Sequence, residues 1–420
     1  MPMNLTRKII SAHLTKPSDM NPGDEIYVKF DQTLTHDINA VMCYLALEGM
    51  GIKRVRTDVS VSYLDHNLLY VNTNTPDDHI FLTSIARKYG IWLSRPGNGI
   101  MHSVQYARFG IPGKTSLGTD SHTTTHGAFG AMGTGCGATD MATILMTGEL
   151  WFRVPEIIEV RLDGEAQKGV YPKDVILEVL GRIRADGAVY KAIDFTGSYV
   201  EKLNVAGRMT ICNMAVEMGA KTAYMQPNAD VLNYMDKRAV RPYEVQFTDP
   251  DFQYEESYVF NVSKIEPNLA CPSSVENVHP LSEVVANGPI KLNQGYIGSC
   301  TGGRVEDIAI AAKILKGRHI PEYTRLIVVP ASNEVMQECM KAGYIQDLMN
   351  AGATITTPGC GACLGAHEGI LAPGEVCITS TNRNFPGRMG STEALMYLAS
   401  PATVAASMVN GCITDPRDFL

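Results

Sequence analysis

The 420-residue sequence has few of the residues that mark specialised proteins, with two tryptophans and ten cysteines. A disulfide scaffold carries about 8–10% cysteine, so this content excludes that class of protein. Positive charge is also scarce, because 36 basic side chains face 44 acidic ones, which argues against nucleic-acid binding. The N-terminus lacks the apolar core of a signal peptide, and the longest uncharged run contains proline and polar residues. We therefore expect a cytoplasmic protein with reduced thiols that does not cross a membrane.

Hydrophobic patterning predicts the fold class. Short β-branched runs alternate with longer amphipathic stretches, which indicates an α/β protein with mostly parallel sheets. At about 100–200 residues per domain, the length allows two to four domains. We predict three, with boundaries at 1–155, 156–285 and 286–420. The elements predicted in the last third are strands at 295–299, 326–330, 353–356 and 376–379, helices at 305–316 and 333–350, and two short helices within 394–411, separated at Pro401.

The residues that follow these predicted strands carry reactive side chains. Cys300 follows the first strand, Cys360 and Cys363 follow the third, and Asn382-Arg383 follows the fourth. Ligands of open α/β sheets bind outside the carboxyl ends of the strands. The pattern therefore predicts three thiols and an arginine at one edge of a sheet.

The chemistry of the three cysteines has three interpretations. Three thiolates in glycine-rich loops suit an iron–sulfur cluster that keeps one iron open for substrate. A zinc ion bound by the same thiols and His367 is a second possibility. The Cys360-Gly-Ala-Cys363 pair also matches a redox dithiol, although no tryptophan precedes it. The seven other cysteines are expected to be small buried residues.

Two histidines have an acidic neighbour at a predicted strand end. Asp65 precedes His66, and Asp120 lies two residues before His122. A carboxylate fixes the tautomer of a histidine and raises its basicity, which suits acid–base chemistry. His102 lies in a loop upstream of the second pair. His126, His279 and His319 are expected in loops or at the surface, and the sequence assigns no role to His13, His36 or His79.

Further polar residues are candidates for binding a carboxylic acid. Asn213 and Glu217 lie four residues apart, and we predict that they share one helix face. Arg383 and Arg388 are the candidates for an anion site, because the planar guanidinium matches a carboxylate with two hydrogen bonds.

Together these motifs resemble the aconitase superfamily over essentially the whole chain, and specifically the separate large subunits of 3-isopropylmalate dehydratases and homoaconitases. The motifs that carry the resemblance are Gly118-Thr-Asp-Ser-His-Thr123, Thr210-Ile-Cys-Asn-Met214, Gly298-Ser-Cys-Thr301, the Cys360/Cys363 pair and Asn382-Arg-Asn-Phe-Pro-Gly-Arg388. The resemblance implies three α/β/α domains around a [4Fe-4S] cluster held by Cys300, Cys360 and Cys363. Where the family usually has asparagine this chain has Gly302, which predicts a gap near the cluster.

The resemblance also implies the roles of the other site residues. The catalytic residues would be Asp65, His66, His102, Asp120, His122 and Glu217, with His66 protonating the leaving hydroxide. The substrate would be bound by Ser121, Asn213, Asn382, Arg383 and Arg388. The swivelling fourth domain of single-chain aconitases would lie on a separate small subunit, without which the chain would be inactive.

The expected activity is that of a hydro-lyase that dehydrates and rehydrates a malate-type acid. The first expectation is interconversion of 2- and 3-isopropylmalate, as in leucine biosynthesis. Homoaconitase, aconitate hydratase and 2,3-dimethylmalate dehydratase are alternatives within the superfamily. An RNA-binding regulator and a structural zinc protein are more distant alternatives.

Overall fold

A five-stranded, wholly parallel sheet forms the first structural unit of the computed structural model, which describes residues 2–239 and 241–420. Its strand order is β4-β3-β2-β5-β6, and β1 and β7 form a separate antiparallel pair. The elements are α1 (Leu5–Ala12), β1 (Glu25–Lys29), β2 (Gln32–His36), α2 (Asp37–Gly49), β3 (Val59–Tyr63), α3 (Asn74–Tyr89), β4 (Trp92–Ser94), α4 (Met101–Arg108), β5 (Thr115–Gly118), β6 (Met132–Gly135), α5 (Ala138–Thr147) and β7 (Glu149–Arg153).

The second unit is a four-stranded parallel sheet with the order β10-β9-β8-β11. Its elements are β8 (Ile157–Asp163), α6 (Pro172–Ile183), β9 (Ala192–Thr196), α7 (Ser198–Lys202), α8 (Val205–Met214), β10 (Thr222–Tyr224), α9 (Ala229–Asp236) and β11 (Glu256–Asn261). The helix α6 buries its apolar face in a core that this unit shares with Tyr106 and Phe129 of the first.

The third unit contains a seven-stranded sheet with the order β13-β12-β18-β17-β14-β15-β16, parallel except at the β12 and β13 edge. Its elements are β12 (Asn268–Ala270), β13 (Val278–Pro280), α10 (Leu281–Ala286), β14 (Gln294–Ile297), α11 (Val305–Leu315), β15 (Arg325–Val328), α12 (Asn333–Lys341), α13 (Tyr344–Asn350), β16 (Thr354–Ile355), β17 (Val376–Thr379), β18 (Leu395–Leu398) and α14 (Pro401–Asn410). Five 3₁₀ helices complete the described chain, at Ser121–Phe129, Ala215–Met218, Val262–Lys264, Gly361–Leu364 and Pro416–Phe419.

The α/β prediction with mostly parallel sheets is confirmed. The strands β2, β3 and β5 are buried along their whole length, as expected for parallel strands with both faces covered. The two boundaries between the three predicted domains stay predictions. The strands β12 and β13, on the N-terminal side of the boundary at 285, pair with the third sheet. Among the residues that the structure describes, no helix is long and apolar enough to span a bilayer.

Three local predictions are wrong. The segment 333–350 is two helices, because Gly343 between them takes a left-handed φ of 81°. The segment 394–411 contains the strand β18 followed by one helix, since Pro401 begins α14 and does not divide two helices. Glu217 lies on the 3₁₀ helix after α8, so it does not share a regular helix face with Asn213.

The first two units meet where the 3₁₀ helix Ser121–Phe129 packs against α8 and β10. The backbone N–H of Met225 donates to the carbonyl of Gly127 at 3.0 Å. A Cβ atom at Gly127 would lie 1.7 Å from the carbonyl oxygen of Ala223. This junction therefore tolerates only glycine.

We predict that Gly127→Ala lowers the free energy of unfolding by about 2 kcal/mol or more, because the methyl group displaces backbone at the junction. Gly49→Ala is the matched control, since a Cβ there meets nothing within 4 Å in an exposed helical turn. Thermal and urea unfolding of the two variants measure the difference. Equal stability of the two variants would contradict the packing at this junction.

Candidate active site

The carboxyl ends of strands from the first and third sheets open into one cavity of about 690 Å³, which we call the site cavity. From the first sheet, His66 follows β3 and Asp120 follows β5. From the third sheet, Cys300 follows β14 and Arg383 follows β17. The predicted site residues that line this cavity are His66, His102, Asp120, Ser121, His122, Cys300, Cys360, Cys363, Asn382, Arg383 and Arg388. The remaining three, Asp65, Asn213 and Glu217, are hydrogen-bonded to residues of this set.

Cys300, Cys360 and Cys363 form one side of the site cavity, which we call the thiol wall. All three are free thiols, and Cys300 and Cys363 are buried. Burial and the neighbouring Cys363 raise the pKa of Cys300 to about 11. Three thiolates that line one buried cavity therefore need a strong positive charge beside them, such as that of a bound metal centre.

The spacing of the thiol wall separates the two metal interpretations. Zinc binds ligand atoms at about 2.0–2.3 Å, so the ligands of one ion lie within about 4 Å of one another. The three sulfur atoms do not all lie within 4.8 Å of one another, whereas among the described residues His36, Asp37 and His66 form such a group. The Nε2 atom of His367 lies 3.0 Å from the carbonyl oxygen of His66, within the backbone of the first unit. The three sulfur atoms as they stand therefore do not meet the spacing of a single zinc site.

His66 is oriented by carboxylates on the opposite side of the site cavity. Its Nδ1 lies 2.9 Å from Asp65 Oδ1, and its backbone N–H donates to Asp37 Oδ1 at 3.1 Å. Burial disfavours the imidazolium, but Asp65, Asp37 and Asp120 together raise the pKa of His66 to about 9. His66 is therefore protonated at neutral pH. Among the described residues its Nε2 makes no hydrogen bond, and Asp120 Oδ2 lies 3.9 Å away.

Asp120 joins the two other predicted histidines. Its Oδ1 lies 3.1 Å from His102 Nε2 and accepts a 2.7 Å hydrogen bond from the backbone N–H of His122. Burial opposes its charge, but the hydrogen bonds from His102 and His122 hold the pKa of Asp120 well below its ordinary value. We call His66, His102 and His122 with their carboxylate partners the histidine wall.

Glu217 connects the histidine wall to the arginine. It lies 2.7 Å from His122 Nε2, and Arg383 Nε donates to both of its oxygens at 2.9 and 3.1 Å. Burial would raise the pKa of Glu217, but His122 and Arg383 lower it. Arg383 Nη2 donates to Ser121 Oγ at 2.9 Å. Within the described residues no hydrogen bond engages Arg383 Nη1, which leaves it for a ligand.

Amide and guanidinium groups contact the thiol wall. Asn382 Nδ2 donates to Asn213 Oδ1 at 3.1 Å and lies 3.3 Å from Cys300 Sγ. Arg388 Nη2 lies 3.9 Å from Cys363 Sγ. Burial opposes the charge of Arg388, but the neighbouring cysteines raise its pKa. These donors stabilise negative charge on the sulfur atoms.

Three residues near the site were missed or left without a role by sequence reasoning. His36, the last residue of β2, stacks on His66 with ring centroids 4.3 Å apart, and burial and His66 lower its pKa. His79 Nε2 donates to Asp37 Oδ2 at 3.2 Å, and the backbone N–H of His66 donates to the other oxygen of Asp37. Lys173 is fully buried, and its Nζ donates to the carbonyls of Ser380 and Thr381 at 3.1 and 2.5 Å. The position of His36 at the end of a strand is the sequence feature that could have identified it. No sequence feature pointed to Lys173.

Two expectations about individual residues are wrong. His126, expected in a loop or at the surface, is buried beside Tyr106 with ring centroids 4.7 Å apart. Gly302 leaves no gap, since a Cβ atom there would lie 2.3 Å from Ser380 Oγ. The Ser380 side chain fills the space, so glycine is required at this position.

Comparison with known proteins gives the same architecture. Residues 7–411 match the family model of the aconitase family (aconitate hydratase). The 3-isopropylmalate dehydratase large subunit 1 of Methanopyrus kandleri is 44% identical, covering 100% of both chains. A probable methanogen homoaconitase large subunit of Methanothermobacter thermautotrophicus is 43% identical, covering 99% of this chain and 98% of that one. The crystal structure of Thermococcus kodakaraensis aconitase X (holo-form) shares the fold, with a TM-score of 0.52 and 10% identity over 87% and 89% of the two chains.

The family match over residues 7–411 and the full-length relatives identify the class of protein as an aconitase-type hydro-lyase. The chain belongs to the aconitase family.

We predict that Asp65→Asn lowers the pKa of His66 from about 9 by at least about one pH unit. The physical reason is that the amide removes the carboxylate charge while it preserves the hydrogen-bonded contact. An NMR titration of the histidine ring carbons in the full chain measures the pKa. Asp31→Asn is the control, because Asp31 contacts His13 and not His66. An unchanged His66 pKa in Asp65→Asn would contradict the assigned pairing.

Proposed function

We propose that this chain is the large, cluster-bearing subunit of a hydro-lyase that interconverts 2- and 3-isopropylmalate by dehydration and rehydration. The observation that carries the proposal is one cavity lined by the thiol wall, by the protonated His66 and by Arg383, whose guanidinium Nη1 makes no hydrogen bond among the described residues. The names of the relatives support the choice of substrate and of subunit.

Cys300, Cys360 and Cys363 would hold a [4Fe-4S] cluster, because they supply three thiolates and leave one position without a cysteine. When bound, such a cluster supplies a Lewis acid that polarises a substrate hydroxyl and carboxylate. The amides and guanidinium groups around the thiol wall balance its negative charge. Ten free cysteines fit a reducing compartment such as the cytoplasm.

His66 donates the proton that converts the leaving hydroxyl into water. Its Nδ1 is held by Asp65, so the proton on Nε2 points to a substrate in the cavity. The raised pKa keeps that proton in place at neutral pH until the departing hydroxide, a far stronger base, takes it. In the reverse direction the neutral ring accepts the proton from water.

Arg383 and Arg388 hold substrate carboxylates. The Glu217 and Ser121 contacts fix Arg383, so that its Nη1 approaches a carboxylate without further ordering of the side chain. Asn382 and Asn213 hold the loop after β17 against Cys300. The substrate is thereby positioned between the two walls.

A separate small subunit would supply the base and the groups that recognise the side chain of the substrate. The relatives over the whole chain are named large subunits, and the site cavity is open to solvent on one side. Homoaconitase is the second candidate function, because two methanogen relatives with 43% identity are named probable homoaconitase large subunits. Rates with 3-isopropylmalate and with homocitrate, measured in the two-subunit enzyme, decide between the two functions.

We predict that Cys360→Ser abolishes the brown colour and lowers iron and sulfide content to a small fraction of the wild-type value. The reason is that the variant loses one of three cluster ligands. Cys377→Ser is the matched control, since Cys377 is buried in β17 away from the cavity and should keep full iron content. Anaerobic purification with iron, sulfide and zinc analysis measures the outcome. Colourless wild-type protein with stoichiometric zinc would refute the cluster.

We predict that the isolated chain with its cluster has no measurable hydro-lyase activity and gains it when a small subunit is added. The relatives that match the whole chain are named large subunits, which implies a partner subunit that completes the site. Absorbance of the unsaturated intermediate reports turnover. Turnover by the purified chain alone would contradict the need for a partner.

A further inference from the structure

A buried cation of the second unit, Lys173, contacts the third unit next to the active site. Lys173 is the second residue of α6 and is 1% exposed. Its Nζ donates to the carbonyls of Ser380 and Thr381 at 3.1 and 2.5 Å. It also donates to Thr301 Oγ1 at 3.4 Å. All three partners belong to the third unit, so this one side chain crosses the junction between the two units.

The partners of Lys173 lie on the two loops that carry Cys300 and Asn382. Thr301 directly follows Cys300, and Thr381 directly precedes Asn382. We call 298–303 the Cys300 loop and 380–383 the Asn382 loop. Thr301 Oγ1 donates to the carbonyl of Ser380 at 2.9 Å, and Asn382 Nδ2 lies 3.3 Å from Cys300 Sγ. The ammonium group therefore binds both loops where they contact each other.

The charge of Lys173 has no carboxylate partner in the described part of the chain. The three oxygens that Nζ contacts are neutral, and the adjacent Asp174 accepts from two backbone N–H groups instead. A buried charge costs free energy unless an opposite charge balances it. Burial lowers the pKa of Lys173 to about 8, and negative charge on Cys300 and Cys363 acts in the opposite direction. The thiol wall is thus a source of the charge that balances the ammonium group.

We propose that Lys173 is a positioning residue of the active site, which holds the Cys300 loop against the Asn382 loop and places a positive charge beside the thiol wall. The hold on the loops follows from the contacts of Nζ alone. The effect of the charge on a bound cluster rests on the proposed function. A positive charge near a cluster stabilises its reduced form, so Lys173 would raise the midpoint potential of the cluster.

Hydrogen exchange of the backbone amides in the full chain tests the hold on the loops. The N–H of Gly298 donates to Ser380 Oγ at 3.0 Å, so its exchange reports the contact between the loops. We predict that Lys173→Met accelerates exchange at Gly298 and Ser380 about tenfold or more, because the loops lose a shared charged donor. If Lys173→Met does not fold, Lys173→Gln, which loses the charge and keeps a donor, should accelerate the same amides.

Arg208→Met is the matched control for this experiment. Arg208 is also a fully buried cation, and its guanidinium donates to the carbonyls of Ala128, Val200 and Gln226. None of these carbonyls lies in the Cys300 loop or the Asn382 loop, so exchange at Gly298 and Ser380 should keep the wild-type rate. Unchanged exchange in the Lys173 variant, or equal acceleration in the Arg208 variant, would overturn the proposal.

A redox titration of the cluster-loaded full chain with dithionite, followed by EPR, tests the charge. We predict a lower midpoint potential in Lys173→Met, because the added electron loses a nearby positive charge. Lys173→Arg keeps the charge and should stay close to the wild-type potential. An unchanged potential in Lys173→Met, or the same decrease in Lys173→Arg, would overturn the charge effect. A wild-type chain without iron would contradict the proposed function and with it the charge effect, whereas hydrogen exchange would still decide the hold on the loops.

Discussion

One aspartate, Asp65, connects the parts of the active site that come from different elements. Its Oδ1 holds His66 Nδ1 at 2.9 Å, and its Oδ2 accepts from the N–H of Met101 at 2.7 Å, where α4 begins. Its backbone carbonyl accepts from the N–H of Cys360 at 2.8 Å. Asp65 thus fixes the position of His66, of the helix that carries His102, and of the loop that carries Cys360 and Cys363. Because Asp65 contacts both His66 and the Cys360 loop, it fixes the distance between the histidine wall and the thiol wall.

The distribution of charge explains why so many ionisable groups can be buried together. The carboxylates of Asp65, Asp120 and Glu217 are each paired with a histidine, and Arg383 also pairs with Glu217. A buried charge is tolerated when it is paired and hydrogen-bonded. The thiol wall differs, because burial raises the pKa of Cys300 to about 11, although Asn382 and Arg388 contact its sulfur atoms. A bound cluster would supply the further positive charge that three thiolates need.

Much of the site could be predicted from the sequence because reactive residues directly follow β-branched strands. The strand 376–379 was predicted with the bounds that the structure has, and Asn382-Arg383 after it reaches the site cavity. Strand β18 was mistaken for a helix, since its four residues are all apolar, so its alternating burial is not visible in the sequence. Lys173 and His36 could not be assigned, because their partners come from distant parts of the chain. Only the packing of the three units brings those partners together.

We infer that the thiol wall and the histidine wall act on one substrate. The Mössbauer spectrum of the ⁵⁷Fe-loaded two-subunit enzyme, recorded with and without 3-isopropylmalate, tests this inference. We predict that the signal of one iron of the cluster changes when substrate is added, because one position has no cysteine ligand. The same substrate should leave the signals of the other irons nearly unchanged. A spectrum that substrate does not alter, or a chain that binds zinc and no iron, would contradict this inference.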